Sequence, residues 1–468
     1  MRAALQSISW VAVLLVGLLT ARPSAAHEPL RERIDAFVRA EQKRQGVTGL
    51  AVGVVSHGRV VLAKGYGFAN LEHQVPVTTE TLFQSASVGK QFTTMAVMLL
   101  VEQGRISLSD SITKYFPDAP ASWGPITLRH LLTHTSGIQD LENQLDVRKD
   151  YSDADFVRFI QGLPVEFPAG LRWSYSNSGY VLLGIIVNRV AGTSFVNVLG
   201  EQVFKPAGMK TARGISESDI IPNRAASYRV LRGALANQSW VSPSLNTTGD
   251  GSLYLSLKDM LAWDAAVERR SLLSGGSWHE ILSPVTLQSG ATYPYGFGWE
   301  VTERNGKPLQ QHTGAWQGFK TAYARFIGDS LSIVVLANYS RTEPMDFVDG
   351  IAAIVNPALA VPPLAPIPDL EPEVTARFTS LLEQARQGTL NPAEFAYLPW
   401  WFWVGGAQSL KTQLQALGAA GPLVLVKREV LGDDRVYTYL VEFEAESRLF
   451  IVSLTPDNRV STFQLMAN

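Results

Sequence analysis

A serine and a lysine stand three residues apart in the stretch FQSASVGKQFTTMAVMLL, where an apolar helical pattern begins. At the start of a helix, free backbone N–H groups and the helix dipole stabilise negative charge on a hydroxyl such as that of Ser87. Lys90 lies one turn further along the same face, so its amine can reach that hydroxyl and take its proton. The two residues are therefore a candidate nucleophile and base, although an ordinary helix cap followed by a solvated lysine would give the same pattern.

The spacing alone does not establish catalysis, because the chain contains a second Ser-x-x-Lys stretch. Ser111 and Lys114 lie in DSITKYFPDAP, where the prolines that follow exclude a long helix. Gly89 adds a further distinction, since glycine inside a helix costs about 1 kcal/mol relative to alanine. We expect this glycine to mark the close approach of another backbone or of a ligand, and we expect the chemistry at Ser87.

Two further stretches carry polar side chains that could act on a substrate. In LRWSYSNSGYVLLG, Tyr175 and Asn177 alternate in an extended segment just before a helix, so both side chains can face one cleft. A tyrosine can transfer protons, and an asparagine amide can bind a substrate carbonyl. Taken alone, such residues are also typical of a turn that caps a helix.

The stretch QQHTGAWQGF places His312, Thr313 and Gly314 at the end of a predicted strand. A glycine there lets a substrate backbone lie close to the strand edge, and the next N–H, on Ala315, could donate to an oxyanion beside that of Ser87. Threonine and histidine could contact a substrate carboxylate. By itself this pattern is also that of an ordinary strand end.

The order of the three motifs resembles that of the serine β-lactamase and penicillin-binding protein superfamily. Within it, the chain is most similar to the branch of class C β-lactamases, D,D-carboxypeptidases, D-aminopeptidases and related esterases. SxxK, YSN and HTG follow one another, and the flanking stretches ITLRHLLTHTSGI, FKPAGMKTA and YGFGWEV agree with that branch. The resemblance covers about residues 30 to 345.

The resemblance implies a serine acyl hydrolase that works through a covalent acyl-enzyme on a D-amino-acid peptide, a β-lactam or an ester. Ser87 would attack the carbonyl while Lys90 and Tyr175 accept and return the proton, and which of the two is the base stays open. The N–H groups of Ser87 and Ala315 would hold the oxyanion. The implied substrate-binding residues are Asn177, His312, Thr313 and Gly314.

Two departures from the family pattern argue against efficient β-lactam turnover. Class C β-lactamases usually carry lysine where His312 stands, and a histidine that titrates near neutral pH would bind an anionic substrate less well as the pH rises. Asp250 lies in TTGDGSLYLSLKDM, where relatives often have a small residue, and its charge would repel a substrate carboxylate. The alternative function is a non-catalytic sensor that binds penicillin or peptidoglycan peptides.

No metal or organic cofactor is expected. His130 and His134 are four residues apart on a predicted helix, but no glutamate lies between them and no third ligand is evident. Glycine-rich phosphate loops and the GxSxG and HExxH motifs are also absent from the sequence.

The distribution of predicted elements indicates an α+β fold. A helix from Leu30 precedes the strands GLAVGVVS and RVVLAKGYG, a mostly helical region follows, and strands resume from Tyr295. We predict one antiparallel sheet assembled from both ends of the domain and flanked by helices, in the manner of β-lactamases and transpeptidases. Residues 27–354 form this domain, a linker with six prolines spans 355–374, and a small α+β accessory domain spans 375–468.

The N-terminal segment and the composition together indicate where the protein acts and what it can bind. Residues 1–26 have the layout of a secretory signal peptide, which predicts a periplasmic or secreted protein. No cysteine is present, so stability must come from core packing rather than disulfides. A net charge of −2 without a basic run argues against nucleic acid, and no other stretch is apolar enough for stable membrane insertion. The expected partners are a small-molecule or peptide substrate, with peptidoglycan as a candidate.

Overall fold

The computed structural model describes residues 29–141 and 144–467, so the predicted signal peptide lies outside the described residues. The α-helices of the described chain are α1 (Leu30–Gln45), α2 (Lys90–Glu102), α3 (Leu128–Leu132), α4 (Asp153–Gln161), α5 (Asn177–Ala191), α6 (Phe195–Leu199), α7 (Lys205–Ala207), α8 (Leu257–Glu268), α9 (Gly275–Ile281), α10 (Pro344–Val355), α11 (Pro372–Gln387) and α12 (Ala407–Leu417).

The strands are β1 (Gly49–Ser56), β2 (Arg59–Asn70), β3 (Val75–Pro76), β4 (Leu82–Gln84), β5 (Arg213–Gly214), β6 (Tyr228–Leu231), β7 (Ala234–Asn237), β8 (Leu253–Ser256), β9 (Val285–Thr286), β10 (Thr292–Tyr293), β11 (Glu300–Arg304), β12 (Lys307–Trp316), β13 (Phe319–Phe326), β14 (Leu331–Ala337), β15 (Val424–Leu431), β16 (Asp434–Glu442), β17 (Ser447–Leu454) and β18 (Val460–Ala467).

A seven-stranded antiparallel sheet forms the centre of the larger region, with strand order β11-β12-β13-β14-β1-β2-β3. The two ends of the predicted domain meet where β1 pairs with β14, with Leu50 opposite Ala337. This confirms the prediction of one antiparallel sheet built from both ends. β1 is apolar from Gly49 to Val55 because both of its faces are covered. Leu50 and Val52 pack with α1 and α10, and a Cβ on Gly53 would touch Leu257 of α8.

The middle of the chain is mainly helical, as predicted, with α2 and α5 buried in the largest apolar core. The sequence pattern did not reveal the small three-stranded sheet β4-β8-β5 inside this region. Within the described residues, no single helix is long and apolar enough to cross a membrane, although the bent pair Asn177–Ala191 and Phe195–Ala207 reaches the required length and composition.

The C-terminal region packs α11 and α12 on the four-stranded antiparallel sheet β15-β16-β17-β18, around an apolar core of its own. The turn between β15 and β16 contacts the larger region, because the N–H of Gly432 donates to the carbonyl of Thr292 at 3.2 Å. Beside it, Arg172 pairs with Asp434 at 3.0 Å. The α+β fold class is confirmed, while the domain boundaries drawn from the sequence stay a prediction.

Candidate active site

Ser87 lies in a short 3-10 turn, Ala86–Gly89, that leads directly into α2. Lys90 is the first residue of α2 and its exposed fraction is 0%. Its Nζ donates to Ser87 Oγ at 3.1 Å, to Asn177 Oδ1 at 2.7 Å and to the backbone carbonyl of Asp250 at 2.8 Å. These three acceptors, counted among the described residues, match the three hydrogens of an ammonium group. In the neutral amine, the two carbonyl oxygens would take both hydrogens and the lone pair would face Ser87.

Backbone crowding holds the turn that carries Ser87. Ala86 has a φ of +46°, a left-handed conformation that is uncommon for a residue with a side chain. A Cβ on Gly89 would lie 2.8 Å from the Cα of Gly251, and one on Gly314 would lie 2.9 Å from the backbone N of Ser87. The close approach expected at Gly89 is therefore confirmed, and the approaching group is backbone.

Tyr175 lies just before α5, with its ring centroid 4.9 Å from Lys90 Nζ. Burial raises the pKa of Tyr175 well above its ordinary value of 10.0, with the neighbouring Ser87 side chain opposing the shift. A phenol with so high a pKa keeps its proton at neutral pH. In the free protein, Tyr175 is therefore placed to donate a proton rather than to accept one.

Asn177 is the first residue of α5, and its side-chain oxygen accepts from Lys90 at 2.7 Å. Asp140 holds it from the other side, since Asp140 Oδ2 accepts from the backbone N of Asn177 at 3.0 Å and from its Nδ2 at 3.3 Å. These contacts fix which end of the amide faces Lys90. Sequence reasoning missed Asp140, because an acid in a loop carries no periodic signal of its own.

The HTG stretch lies on β12, next to the Ser87 turn. β12 pairs with β13 along its length, with Thr313 opposite Ala322, but its pairing with β11 ends at Gln311. The segment from His312 onward therefore forms a sheet edge at the cleft, with Ala315 exposed on it. The structure thus brings together every site residue predicted from the sequence, around Ser87 and along this edge.

His312 does not behave as its position in the sequence suggested. Its exposed fraction is 3%, its Nε2 lies 3.0 Å from Tyr295 Oη, and its Nδ1 lies 2.6 Å from the backbone carbonyl of Thr313. Burial, assisted by the nearby charge of Lys90, lowers the pKa of His312 to about 3. The expectation of a histidine that titrates near neutral pH is wrong, because the sequence could not show that the ring is desolvated.

The two histidines weighed as metal ligands have other contacts. His130 Nδ1 accepts from the N–H of Thr127 at 3.1 Å and completes the cap of α3. His134 Nδ1 accepts from the N–H of Ser176, also at 3.1 Å. In the part of the chain that the structure describes, no group of three or more histidine, cysteine, aspartate or glutamate side chains could hold a metal ion.

The cleft in front of Ser87 has a volume of about 620 Å³. Asp250 lines it, as expected, and its side chain accepts a hydrogen bond from Thr248 at 2.5 Å. The wall is largely apolar and aromatic, and it includes Trp173 and Trp316. Within the part of the chain that the structure describes, the charged residues that line the cleft are Asp250, Glu300, Glu343 and Lys320.

Comparison with known proteins agrees with this geometry. The chain is 30% identical over 300 residues to penicillin-binding protein 4* of Bacillus subtilis, which covers 60% of the chain but only 66% of that relative. It is 27% identical over 436 residues to the D-aminopeptidase of Brucella canis, covering 89% of the chain and 80% of the relative. The curated penicillin-binding protein is therefore matched over less than two thirds of its length.

A solved structure also shares the fold. The octameric penicillin-binding protein homologue from Pyrococcus abyssi matches with a TM-score of 0.63 at 20% identity, over 93% of this chain and 98% of that one. The family model described as Beta-lactamase matches residues 34–355, a range that contains Ser87, Tyr175 and His312. The chain therefore belongs to the Beta-lactamase family, within the superfamily of serine β-lactamases and penicillin-binding proteins.

Proposed function

We propose that this protein is a serine hydrolase that cleaves an amide bond through an acyl-enzyme on Ser87. The observation that carries the proposal is the contact geometry of the buried Lys90 amine. Its Nζ lies 2.7 Å from Asn177 Oδ1, 2.8 Å from the carbonyl oxygen of Asp250 and 3.1 Å from Ser87 Oγ. A nucleophile hydrogen-bonded to a buried, oriented base is the arrangement that acyl transfer needs.

The position of the Lys90 amine, 3.1 Å from Ser87 Oγ, and the protonated state of Tyr175 favour Lys90 as the first proton acceptor. In the neutral form, Lys90 directs its lone pair at the Ser87 hydroxyl, whereas Tyr175 already carries its proton. As the bond from Ser87 Oγ to the carbonyl carbon forms, the serine proton passes to Lys90. Tyr175 then gives its proton to the leaving nitrogen as the C–N bond breaks, and Lys90 can return a proton to the phenol.

The oxyanion of the tetrahedral intermediate would lie between the Ser87 turn and the edge of β12. The backbone N–H groups of Ser87 and Ala315 are the proposed donors, and the absence of a side chain at Gly314 allows the strand to lie against the turn. Water then attacks the acyl carbon, the bond to Ser87 Oγ breaks, and the acid is released.

For the substrate, we propose the amide of a D-amino acid or of a short D-amino-acid peptide with a free amino group. Among the described residues, three acids and Lys320 line the cleft, and the acids still outnumber the cations when Lys90 behind Ser87 is counted. The field of the cleft therefore favours a cationic ammonium over a second carboxylate. The names of the relatives, D-aminopeptidase and penicillin-binding protein, support an amide of this kind. Peptides from peptidoglycan are a candidate source, because the signal-like residues 1–26 suggest export.

The test is a matched substrate panel with intact-mass spectrometry. We would compare D-alanine p-nitroanilide, its L enantiomer, its N-acetyl derivative and benzylpenicillin, with the Ser87→Ala protein alongside. Turnover of the D-anilide, lost on N-acetylation and in Ser87→Ala, is the expected result. Preference for the N-acetylated compound or for penicillin would contradict the ammonium assignment. A folded protein that binds penicillin without an adduct at Ser87 would instead indicate the non-catalytic sensor.

A further inference from the structure

Beneath the cleft, four buried residues connect the YSN segment to the HTG strand. Ser176, His134, Tyr295 and His312 have exposed fractions of 4%, 1%, 1% and 3%. Successive contacts join Ser176 N to His134 Nδ1 at 3.1 Å, His134 Nε2 to Tyr295 Oη at 3.2 Å, and Tyr295 Oη to His312 Nε2 at 3.0 Å. A final contact of 2.6 Å joins His312 Nδ1 to the carbonyl of Thr313.

The two ends of this series fix every proton within it. The Ser176 N–H can only donate, so His134 Nδ1 accepts and the neutral ring carries its proton on Nε2. That proton goes to Tyr295 Oη, whose own proton then goes to His312 Nε2. His312 must therefore carry its proton on Nδ1, and the carbonyl of Thr313 can only accept it. The two histidines thus have opposite tautomers.

The rings in this series are held neutral, which the assignment requires. Burial lowers the pKa of His134 well below 6.5 and that of His312 to about 3, with the charge of Lys90 contributing to both shifts. Burial also raises the pKa of Tyr295 well above 10.0. Tyr180 packs against His134 at 5.1 Å between ring centroids, but its hydroxyl donates to the carbonyl of Leu132 at 2.9 Å.

His134 has further contacts that a space-filling residue would not need. Its φ is +57°, a left-handed conformation at the end of α3 that persists only when surrounding contacts impose it. Its ring lies on that of Tyr175, with centroids 4.3 Å apart. The backbone N–H of Ser174 donates to its carbonyl at 2.9 Å, so both its backbone and its ring bind the YSN segment.

We propose that His134 and Tyr295 are positioning residues that set the separation between the YSN segment and the HTG strand. They touch neither the nucleophile nor the space in front of it. They act through Tyr175 and Asn177 on one side of the cleft and through Thr313 on the other. The catalytic part of this proposal rests on the proposed function, whereas the hydrogen-bond assignment does not.

The first experiment measures the tautomers directly. Long-range ¹H–¹⁵N correlation spectra of the wild-type protein with labelled histidine should show His134 protonated on Nε2 and His312 protonated on Nδ1. Spectra of His134→Gln and His312→Asn assign the two sets of signals. If both rings have the same tautomer, or if either ring is charged at pH 7, the hydrogen-bond assignment is wrong, whether or not the protein is catalytically active.

The second experiment measures acylation of Ser87 by a p-nitrophenyl ester. Tyr295→Phe keeps the ring but breaks two contacts of the series, so we expect the acylation rate at saturating probe to fall about 100-fold. The ester concentration that gives the half-maximal rate should change less than about threefold, because the variant loses stabilisation of the transition state rather than binding of the ester. Tyr323→Phe is the matched control, since its buried hydroxyl bonds Asp264 at 2.7 Å outside the series.

The two experiments distinguish three claims: the hydrogen-bond assignment, the positioning role of His134 and Tyr295, and the proposed function. If Tyr295→Phe acylates as fast as Tyr323→Phe, the positioning role is wrong although the enzyme is active. If the wild-type protein is folded and shows the opposite tautomers but no probe acylates Ser87, the proposed function fails and the hydrogen-bond assignment stands. If Tyr295→Phe does not fold, the wild-type spectra still decide the assignment.

Discussion

Two Ser-x-x-Lys stretches in this chain have opposite surroundings. Lys90 is fully buried against Ser87, whereas the Lys114 side chain is 56% exposed and pairs with Asp110 at 2.9 Å. Ser111 caps a short 3-10 helix, accepting from the N–H of Thr113 at 3.3 Å while its hydroxyl donates to a backbone carbonyl. The side chains of the second serine and lysine therefore bind other neighbours, and only the backbone N–H of Lys114 contacts Ser111, at its carbonyl at 3.1 Å.

A Ser-x-x-Lys motif becomes a site in this chain only through contacts with distant segments. Asn177 on α5 and the carbonyl of Asp250 before β8 hold the amine of Lys90, and Gly314 on β12 lets a sheet edge lie against Ser87. In the described structure the amine of Lys114 binds Asp110, four residues earlier, and not a distant segment.

The largest effect is expected from the two residues of the buried motif. Ser87→Ala and Lys90→Met should each lower turnover by at least about 10⁴-fold, because nucleophile and base act as a unit. Lys90→Met keeps the length of the side chain, which limits the cavity it leaves. The measurement is the acylation rate by stopped-flow, with circular dichroism to establish folding.

The matched controls are Ser111→Ala and Lys114→Met in the exposed motif. An exposed ion pair such as the one between Lys114 and Asp110 contributes at most about 1 kcal/mol to stability. Both controls should acylate at the wild-type rate. A loss of activity in either, equal to that in Lys90→Met, would show that the comparison between the two stretches is wrong.

Gly314→Ala should give the next largest effect. A Cβ there would lie 2.7 Å from the carbonyl of Ser85 and 2.9 Å from the N of Ser87, so β12 must move away from the turn. Misplacing one oxyanion donor lowers the rate by about 10²- to 10³-fold. Gly275→Ala on α9 is the control, since nothing lies within 4 Å of its added Cβ. Equal acylation rates in the two variants would contradict the proposed oxyanion site.

The free energy of unfolding at acid pH should depend on the buried side chain of His312. The unfolded chain binds a proton at His312 near the ordinary pKa of 6.5, but the folded protein does so only near 3. Between these values the unfolded state binds more protons, so stability falls as the pH falls, by about 1.4 kcal/mol per pH unit. Urea unfolding of His312→Asn at pH 7, 5 and 4 should show this acid loss reduced.

His279→Asn, at an exposed position on α9, is the control for that measurement. It should unfold with the same pH dependence as the wild-type protein. If His312→Asn retains the full acid loss, His312 takes up its proton in the folded state, and the neutral ring assigned at the cleft is wrong.

The smallest effect is expected at Asp250. Its backbone carbonyl binds Lys90, so the Asp250→Asn side chain leaves that contact in place while removing a negative charge from the cleft. Acylation by benzylpenicillin, an anion, should rise by less than about tenfold, and turnover of D-alanine p-nitroanilide should fall by a similar factor. A change of the same sign for both substrates would contradict an electrostatic role for Asp250.

Much of the fold could be predicted because it depends on local patterns. Apolar periodicity located α1, α2 and α5, and strands at both ends of the domain predicted the antiparallel sheet. The 3-10 turn before α2 was not predicted, because it goes with the positive φ of Ala86 and with the close approach of Gly251 to Gly89. Backbone constraints of that kind come from distant residues, which a local pattern does not contain.

The chemical groups present, their order along the chain and the local elements that carry them follow from the amino-acid sequence alone. Which of these groups meet, and in which protonation state, depends on the packing of the folded chain. Asp140 holds Asn177, Tyr295 joins two histidines, and burial keeps His312 neutral, although none of these follows from spacing. The physical reason is that pKa and hydrogen-bond partner depend on desolvation and on neighbours far away in sequence, and only the packed fold brings those together.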